Sequence, residues 1–194
     1  MFREMSKKEL RDYFKWFVGA IPGRTIELAN ALGQTPGFET WQPDGSPDSL
    51  DSLGDWLASQ VQARPRTDEE LQEIKSGSRY PIDVSGGELT NKTFSLAMDT
   101  GMYLSQVLLQ NHPSLRWNQE FGNKRSIDYG QPVLVEFGFG PLNPVQIMVT
   151  LAYGLVEKTR TGRRLREVYD TWTAQVRCTG PADCGGAPAN CESV

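Results

Sequence analysis

The stretch that decides the fold runs from residue 93 to residue 144 and begins with TFSLAMDTGMYLSQVLLQN, residues 93–111. Its apolar residues recur at helical spacing around much of the circumference, which predicts a long helix buried on more than one side. Two runs with the composition of β-strands follow, LRWNQEF at 115–121 and PVLVEF at 132–137. We expect them to pair antiparallel through the connection GNKRSIDYGQ, residues 122–131.

The predicted central helix carries a line of small residues. Ala97, Gly101 and Ser105 are spaced by four and therefore lie on one side of the helix. A glycine inside a helix costs about 1 kcal/mol relative to alanine. We therefore expect a packing reason for Gly101, namely the close approach of another backbone.

Helical periodicity continues on both sides of this stretch. Ser6 and Glu9 form a capping box that begins a first helix, and Pro22 and Gly23 interrupt its pattern. This predicts a helical hairpin or a kinked helix that ends at Gly33. Apolar spacing predicts four more helices, at about residues 48–61, 67–75, 143–155 and 162–176.

These elements together predict an α+β fold that is mostly helical, with the long central helix packed on a small antiparallel sheet of two to four strands. The segment 76–89 is loop-like, and Ile82 and Val84 make at most a short edge strand there. A chain of 194 residues can build one core without disulfides or a metal. We expect a single globular domain over residues 1–176 and a disordered tail over residues 177–194.

Composition favours a cytoplasmic protein that binds neither nucleic acid nor a membrane. The net charge is −4, whereas a surface that neutralises phosphates normally carries a basic excess. Residues 1–10 are too charged for a signal peptide, and no apolar run reaches the roughly 20 residues that span a bilayer. The odd set Cys178, Cys184 and Cys191 is typical of free thiols in a reducing compartment.

The residues give no complete catalytic or metal-binding set. A Ser/His/Asp hydrolase needs a histidine between nucleophile and carboxylate, and His112 is expected at a helix end. The spacing of the three cysteines, C-x5-C-x6-C, is not that of a zinc site. FGFGPLNP, residues 137–144, lacks the Lys-Ser/Thr of a phosphate loop. We therefore predict no cofactor and no metal, and the balance favours a protein that is not an enzyme.

Two segments of opposite charge stand out. EKTRTGRRLRE, residues 157–167, is basic, and residues 39–55 contain five carboxylates with no Lys or Arg. A basic run of this kind is usually a solvated helix face. It can also contact an acidic partner, or the chain's own acidic segment.

Several stretches together resemble a family of uncharacterised bacterial proteins, a domain of unknown function. They are SKKELRDYFKWFVGAIPGRTIELANAL (6–32), SLDSLGDWL (49–57), SLAMDTGMYLSQVLLQNHPSLRW (95–117), IDYGQPVLVEF (127–137) and LNPVQ (142–146). Some relatives of that family resemble immunity proteins of bacterial toxin systems. The resemblance implies a toxin or the product of a neighbouring gene as partner, and it supplies no catalytic residues.

The leading hypothesis is a protein-binding domain without enzymatic activity, and the resemblance implies that it is of the immunity type. Its expected contact residues are Trp41 in the acidic segment and Asp128, Tyr129 and Gln131 in the connection between the strands. No oligomeric state follows from the sequence, although a scaffold subunit of a larger assembly is a third possibility.

The alternative is a small hydrolase that uses carboxylates beside the central helix. Paired carboxylates can act as general acid and base, and a neighbouring tyrosine can hold or donate a proton. The residues of this hypothesis are Asp99, Tyr103 and Glu136. It requires their side chains to meet at a common point.

Overall fold

Helices make up most of the fold in the computed structural model, which describes residues 2–77, 80, 84 and 86–176. The elements within these residues are α1 (Lys7–Gly33), α2 (Ser49–Gln60), β1 (Ala63–Pro65), α3 (Asp68–Gly77), β2 (Gly87–Leu89), α4 (Asn91–Asn111), β3 (Arg116–Gln119), β4 (Pro132–Val135), α5 (Pro144–Val156) and α6 (Arg164–Thr173). The predicted α+β class, mostly helical with small antiparallel sheets, is confirmed. The predicted tail lies outside the described residues.

α4 is the central element, as its apolar composition predicts. The Thr90 side chain accepts a hydrogen bond from the Thr93 amide at 3.3 Å and begins the helix, which ends at His112 before Pro113. Buried residues occur on several sides of α4 because other helices pack around it. Its most extensive contacts are with α5 and then with α1. Its contacts with the strands are less extensive than these helix contacts.

The contact between α4 and α5 depends on Gly101. A Cβ at this position would lie 2.8 Å from the Pro144 carbonyl oxygen and 3.1 Å from the Val145 Cα. Only a residue without a side chain permits this approach, and the close contact confirms the packing reason expected for the glycine. Asn143 positions the start of α5, since its Oδ1 accepts from the Gln146 amide at 3.0 Å.

The predicted antiparallel hairpin is confirmed, with strands shorter than their sequence signals. β3 pairs with β4 so that Trp117 lies opposite Leu134. Leu134 also bridges to Leu142, and Phe137 bridges to Val176, so the outer edge of this short strand is partly covered.

A second two-stranded sheet is formed by β1 and β2, and the sequence analysis did not predict it. Ala63 pairs with Leu89 and Pro65 with Gly87. Each strand has three residues, too few for an alternating pattern to be recognised, and Pro65 argues against a strand. Of the edge strand proposed at Ile82 and Val84, Ile82 lies outside the described residues and Val84 is not in a strand.

α1 is one continuous helix with Pro22 inside it, which corrects the expected hairpin, and the kinked helix stays a prediction. Pro22 lies inside it on the exposed side, where the missing amide hydrogen bond faces solvent. The opposite side is fixed by burial of Phe17, Ile21 and Leu28. Gly33 belongs to the last turn rather than to the C-cap position.

β1, α3 and β2 form an arm at one end of α2 and α4. Its base is tied to α4 because the Gln62 amide donates to Thr93 Oγ1 at 2.8 Å. Within the arm, Arg64 pairs with Glu70 at 2.7 Å and also with Glu88. α3 buries none of its side chains completely. The arm therefore depends on its own hydrogen bonds and ion pairs.

The close approach at Gly101 yields a stability prediction. Gly101→Ala should lower the free energy of unfolding by about 1–3 kcal/mol, because the added methyl group meets backbone atoms that cannot rotate away. Gly19→Ala on α1 is the matched control. Nothing lies within 4 Å of its Cβ, and alanine should raise stability there by up to about 1 kcal/mol. Urea unfolding measures both, and a Gly101→Ala variant as stable as the control would contradict the contact.

The arm should loosen in acid. The hydrogen bond from Arg64, followed by that from the Thr67 amide, lowers the pKa of Glu70 from 4.5 to about 2. Because the folded pKa is the lower one, Glu70 stabilises the arm above pH 4.5, and this contribution is lost as the pH falls from 4.5 towards 2. NMR shifts of the α3 backbone should report the loss. In Glu70→Gln, the change of these shifts between pH 4.5 and 2 should disappear. If the variant shows the same pH-dependent shifts as the unchanged chain, the assignment to Glu70 is refuted.

Candidate functional site

Asp99 lies in a buried ion pair between α4 and α1. Arg24 donates from Nε to one carboxylate oxygen at 2.7 Å and from Nη2 to the other at 2.6 Å. Arg24 also donates to Ser95 Oγ at 3.0 Å and to the exposed Glu27. Side-chain exposure is 6% for Asp99 and 27% for Arg24. This two-point pairing occupies both carboxylate oxygens and fixes the carboxylate against α1.

The protonation chemistry of this pair follows from burial and pairing. Burial raises the pKa of Asp99, and the hydrogen bonds from Arg24 oppose that rise. The same bonds to Asp99 raise the pKa of Arg24, which therefore stays charged. Because the Arg24 guanidinium is permanently charged and binds both carboxylate oxygens, Asp99 serves as its ion-pair partner.

Tyr103 has a different set of partners, in the segment before α2 and at the start of α2. Its hydroxyl accepts from the Gly45 amide at 3.2 Å and shares a hydrogen bond with Ser49 Oγ at 2.7 Å. Its ring packs edge-on against Trp41 at 5.3 Å. Burial raises the pKa of Tyr103, so the hydroxyl stays protonated and ties α4 to the segment before α2.

Glu136 follows β4 with a φ of 84°, a conformation that is uncommon outside glycine. Its carboxylate pairs with Arg116 of β3 at 2.9 Å. Asp99, Tyr103 and Glu136 thus have three different sets of partners. Among the described residues, no hydrogen bond or ion pair connects any two of these three side chains.

The connection between β3 and β4 is held by Asn143. Asn143 Nδ2 donates to Asp128 Oδ1 at 2.9 Å and to Gln131 Oε1 at 3.2 Å. Two of the predicted contact residues therefore do lie together, around a buried asparagine that also caps α5. Their polar groups anchor the turn 122–131 to the core.

Trp41 and Tyr129, the two aromatic residues expected in a contact surface, are buried. Trp41 is 7% exposed, and its indole N–H donates to the Ser49 carbonyl at 2.9 Å. Tyr129 is 3% exposed and packs edge-on against Phe121 at 6.0 Å. Each ring pins its loop to the body, because a large aromatic side chain gains more from burial than from exposure. The expectation that these two side chains form a surface is corrected.

A different aromatic group is exposed, at the start of α1. Trp16 is 52% exposed, its ring lies 5.6 Å from that of Tyr13, and Tyr13 contacts Phe2 at 5.1 Å. Arg3 Nη2 donates to the Arg125 carbonyl at 3.1 Å and so joins this segment to the turn 122–131. The sequence indicates this exposure, because Trp16 lies off the centre of the apolar stripe of α1.

We call this region the basic–aromatic face. It comprises Arg3, Lys8, Lys15, Trp16, Arg125 and Ile127, all of which are exposed, and three exposed carboxylates lie among them on the same segment, Glu4, Glu9 and Asp12. Beside it, Arg11 and Lys7 lie over the ring of Phe121, at 5.8 Å and 6.0 Å from its centroid. Such placement holds a cation near an aromatic ring without removing it from solvent.

The basic and acidic segments meet within the chain. Arg166 of α6 pairs with Asp48 at 2.9 Å and with Asp51 at 3.4 Å. These contacts hold α6 against α2, where Gly54 and Gly162 bring the two backbones together. The contact of the basic run with the chain's own acidic segment, one of the alternatives predicted for it, is therefore confirmed at Arg166.

Nothing in the described part of the chain combines three or more His, Cys, Asp or Glu side chains into a group that could hold a metal. Cys178, Cys184 and Cys191 lie outside the described residues. Likewise, none of the described helices is both long enough and apolar enough to cross a bilayer.

Comparison of the chain with protein-family models, with curated proteins and with solved structures finds no match. The resemblance to an uncharacterised bacterial family therefore stays a prediction.

The structural role of Asp99 can be tested directly. Asp99→Ala should lower the free energy of unfolding by about 2 kcal/mol, because it removes the two charge-assisted hydrogen bonds between Arg24 and the buried carboxylate. Glu27→Ala removes an exposed partner of the same arginine and should change stability by less than about 0.5 kcal/mol. Urea unfolding separates the two. Equal effects would show that the pair with Asp99 is not the stabilising one.

Proposed function

We propose that this chain is a protein-binding domain and that the basic–aromatic face is its contact surface. The observation that carries the proposal is the half-exposed ring of Trp16, which contacts the ring of Tyr13 and is otherwise open to solvent. Tryptophan is among the residues most often found at the energetic centre of protein interfaces.

The surroundings of Trp16 support the same assignment. Ile127, in the turn that Arg3 reaches, is 63% exposed. Phe139 is also exposed, but its ring lies 4.5 Å from Trp172 and covers that side chain. Trp16 differs because exposed charged residues lie next to it on α1, Lys15 directly before it and Asp12 one helical turn before it. An apolar centre with a charged rim is the usual anatomy of a protein contact surface.

The polar residues beside α4 favour binding over catalysis. Asp99 and Tyr103 connect α4 to two different parts of the body, and Glu136 pairs with the neighbouring strand. The hydrolase hypothesis stays a prediction, and no contact described above favours it. A cytoplasmic location and an immunity-type role against a bacterial toxin belong to the proposal, and the latter is supported by the sequence resemblance alone.

The proposal is tested by site-specific crosslinking and measured affinity. A photoreactive phenylalanine analogue at position 16 should crosslink the partner in cells that contain this chain, and mass spectrometry identifies it. With the purified partner, Trp16→Ala should then weaken binding at least tenfold, because about 1.4 kcal/mol or more is typical of a central tryptophan. Calorimetry measures the change.

Ile26→Ala is the matched control, since Ile26 lies on the same helix and is 62% exposed. It stands about 15 Å farther along the helix axis, at a rise of 1.5 Å per residue. Its substitution should change the affinity less than twofold. If Ile26→Ala weakens binding and Trp16→Ala does not, the contact surface lies elsewhere on the molecule.

A further inference from the structure

A pocket of about 310 Å³ opens at the base of the arm, where β1 and β2 meet the start of α4. It is large enough to hold a small molecule. The pocket shares no residue with the basic–aromatic face and is therefore a separate feature of the surface. Its lining residues are Arg64, Glu88, Leu89, Thr90, Asn91 and Phe94.

Ion pairs hold the polar wall of this pocket in place. Arg64 donates from Nη1 and Nη2 to the Glu70 carboxylate at 2.9 Å and 2.7 Å, and it also pairs with Glu88, which lies opposite it on β2. The side chains of Arg64 and Glu88 nevertheless stay 46% and 34% exposed. Side chains that are already fixed in this way lose little conformational entropy when a ligand binds to them.

The lining residues keep hydrogen-bonding groups that a ligand can use. Within the described part of the chain, no hydrogen-bond partner is found for Arg64 Nε, for the second oxygen of Glu88 or for the side-chain amide of Asn91. A guanidinium donates, a carboxylate accepts and an amide does both. This mixture of donors and acceptors suits hydroxyl groups, because each hydroxyl also donates and accepts.

The charges at the pocket balance one another. Arg64 and Glu88 in the lining carry opposite charges and form an ion pair. Two adjoining residues add one charge of each sign, Glu70 through its pair with Arg64 and Lys92 next to Asn91. A charged ligand therefore gains little net attraction here, whereas an uncharged polar ligand brings no unpaired charge into the pocket.

Phe94 and Leu89 supply the apolar part of the lining. Phe94 packs against the hydrophobic core and is partly exposed, whereas Leu89 is buried. The face of an aromatic ring carries partial negative charge and attracts C–H groups, which carry partial positive charge. A sugar ring presents C–H groups on its face and hydroxyl groups at its edge, so it matches both parts of this pocket.

We propose that the pocket at the base of the arm binds a small, uncharged sugar. The hydroxyl groups of the sugar exchange hydrogen bonds with Arg64, Glu88 and Asn91, and the C–H face of its ring packs on Phe94. The inference goes beyond the proposed function and is independent of it, because the two surfaces have no residue in common.

NMR titration of the isotope-labelled full chain tests the proposal. The probes are glucose, galactose, mannose, N-acetylglucosamine, maltose and cellobiose, each added separately. At least one should shift the amides of residues 88–94 in a saturable manner with a Kd of about 10 mM or lower, while residues 7–16 stay unchanged. Inorganic phosphate should leave residues 88–94 unchanged. No saturable shift with any of the sugars, or saturation by phosphate instead, would overturn the proposal.

Substitutions then locate the sugar. Asn91→Ala removes an exposed amide of the lining, and Phe94→Leu removes the ring but keeps an apolar side chain against the core. Each should weaken binding of the sugar about fivefold or more. Gln72→Ala is the matched control, since it removes an exposed amide of the arm outside the lining, and it should change the affinity less than about twofold. Unchanged affinity in both lining variants, with circular dichroism showing that they are folded, would refute the site.

Discussion

The close contact of α4 with α5 at Gly101 is the constraint on which the rest of the structure depends. With no side chain at this position, the carbonyl of Pro144 reaches the surface of α4, and α5 can lie along it. This places Asn143 where it both caps α5 and holds the turn 122–131 through Asp128 and Gln131. This turn also contacts the residues before α1, because Arg3 donates a hydrogen bond to the Arg125 carbonyl. The position of the exposed face therefore follows from helix packing in the core.

The fold class and the central elements could be predicted because their signals are local and agree with one another. The apolar composition of α4, the capping box of Ser6 and Glu9, and the strand composition around Trp117 and Leu134 are read from neighbouring residues. The small sheet β1–β2 could not be predicted, since three-residue strands have too few positions to show alternation. The continuity of α1 through Pro22 depends on tertiary burial of the opposite side, which outweighs the local propensity of proline.

The candidate site was harder to predict for a physical reason. A sequence shows which residues can do chemistry, but the partner of each is set by the fold. Asp99 appeared available, yet Arg24, 75 positions away, occupies both of its oxygens. Trp41 appeared exposed in a polar loop, yet the Ser49 carbonyl and the Tyr103 ring take it into the core. Trp16, in contrast, stays half-exposed, because the apolar stripe of α1 is narrow and leaves its ring at the edge. The buried polar groups thus stabilise the fold, whereas several cations and the ring of Trp16 stay exposed.

The most direct test is to locate the binding surface by NMR. The partner captured through position 16 is added to the isotope-labelled chain, and the changes in its backbone amide shifts are measured. The account predicts changes confined to residues 7–16 and 122–131, with the amides around Asp99 and Tyr103 unaffected. Changes centred on residues 95–106, with the start of α1 silent, would contradict it and would direct attention back to α4.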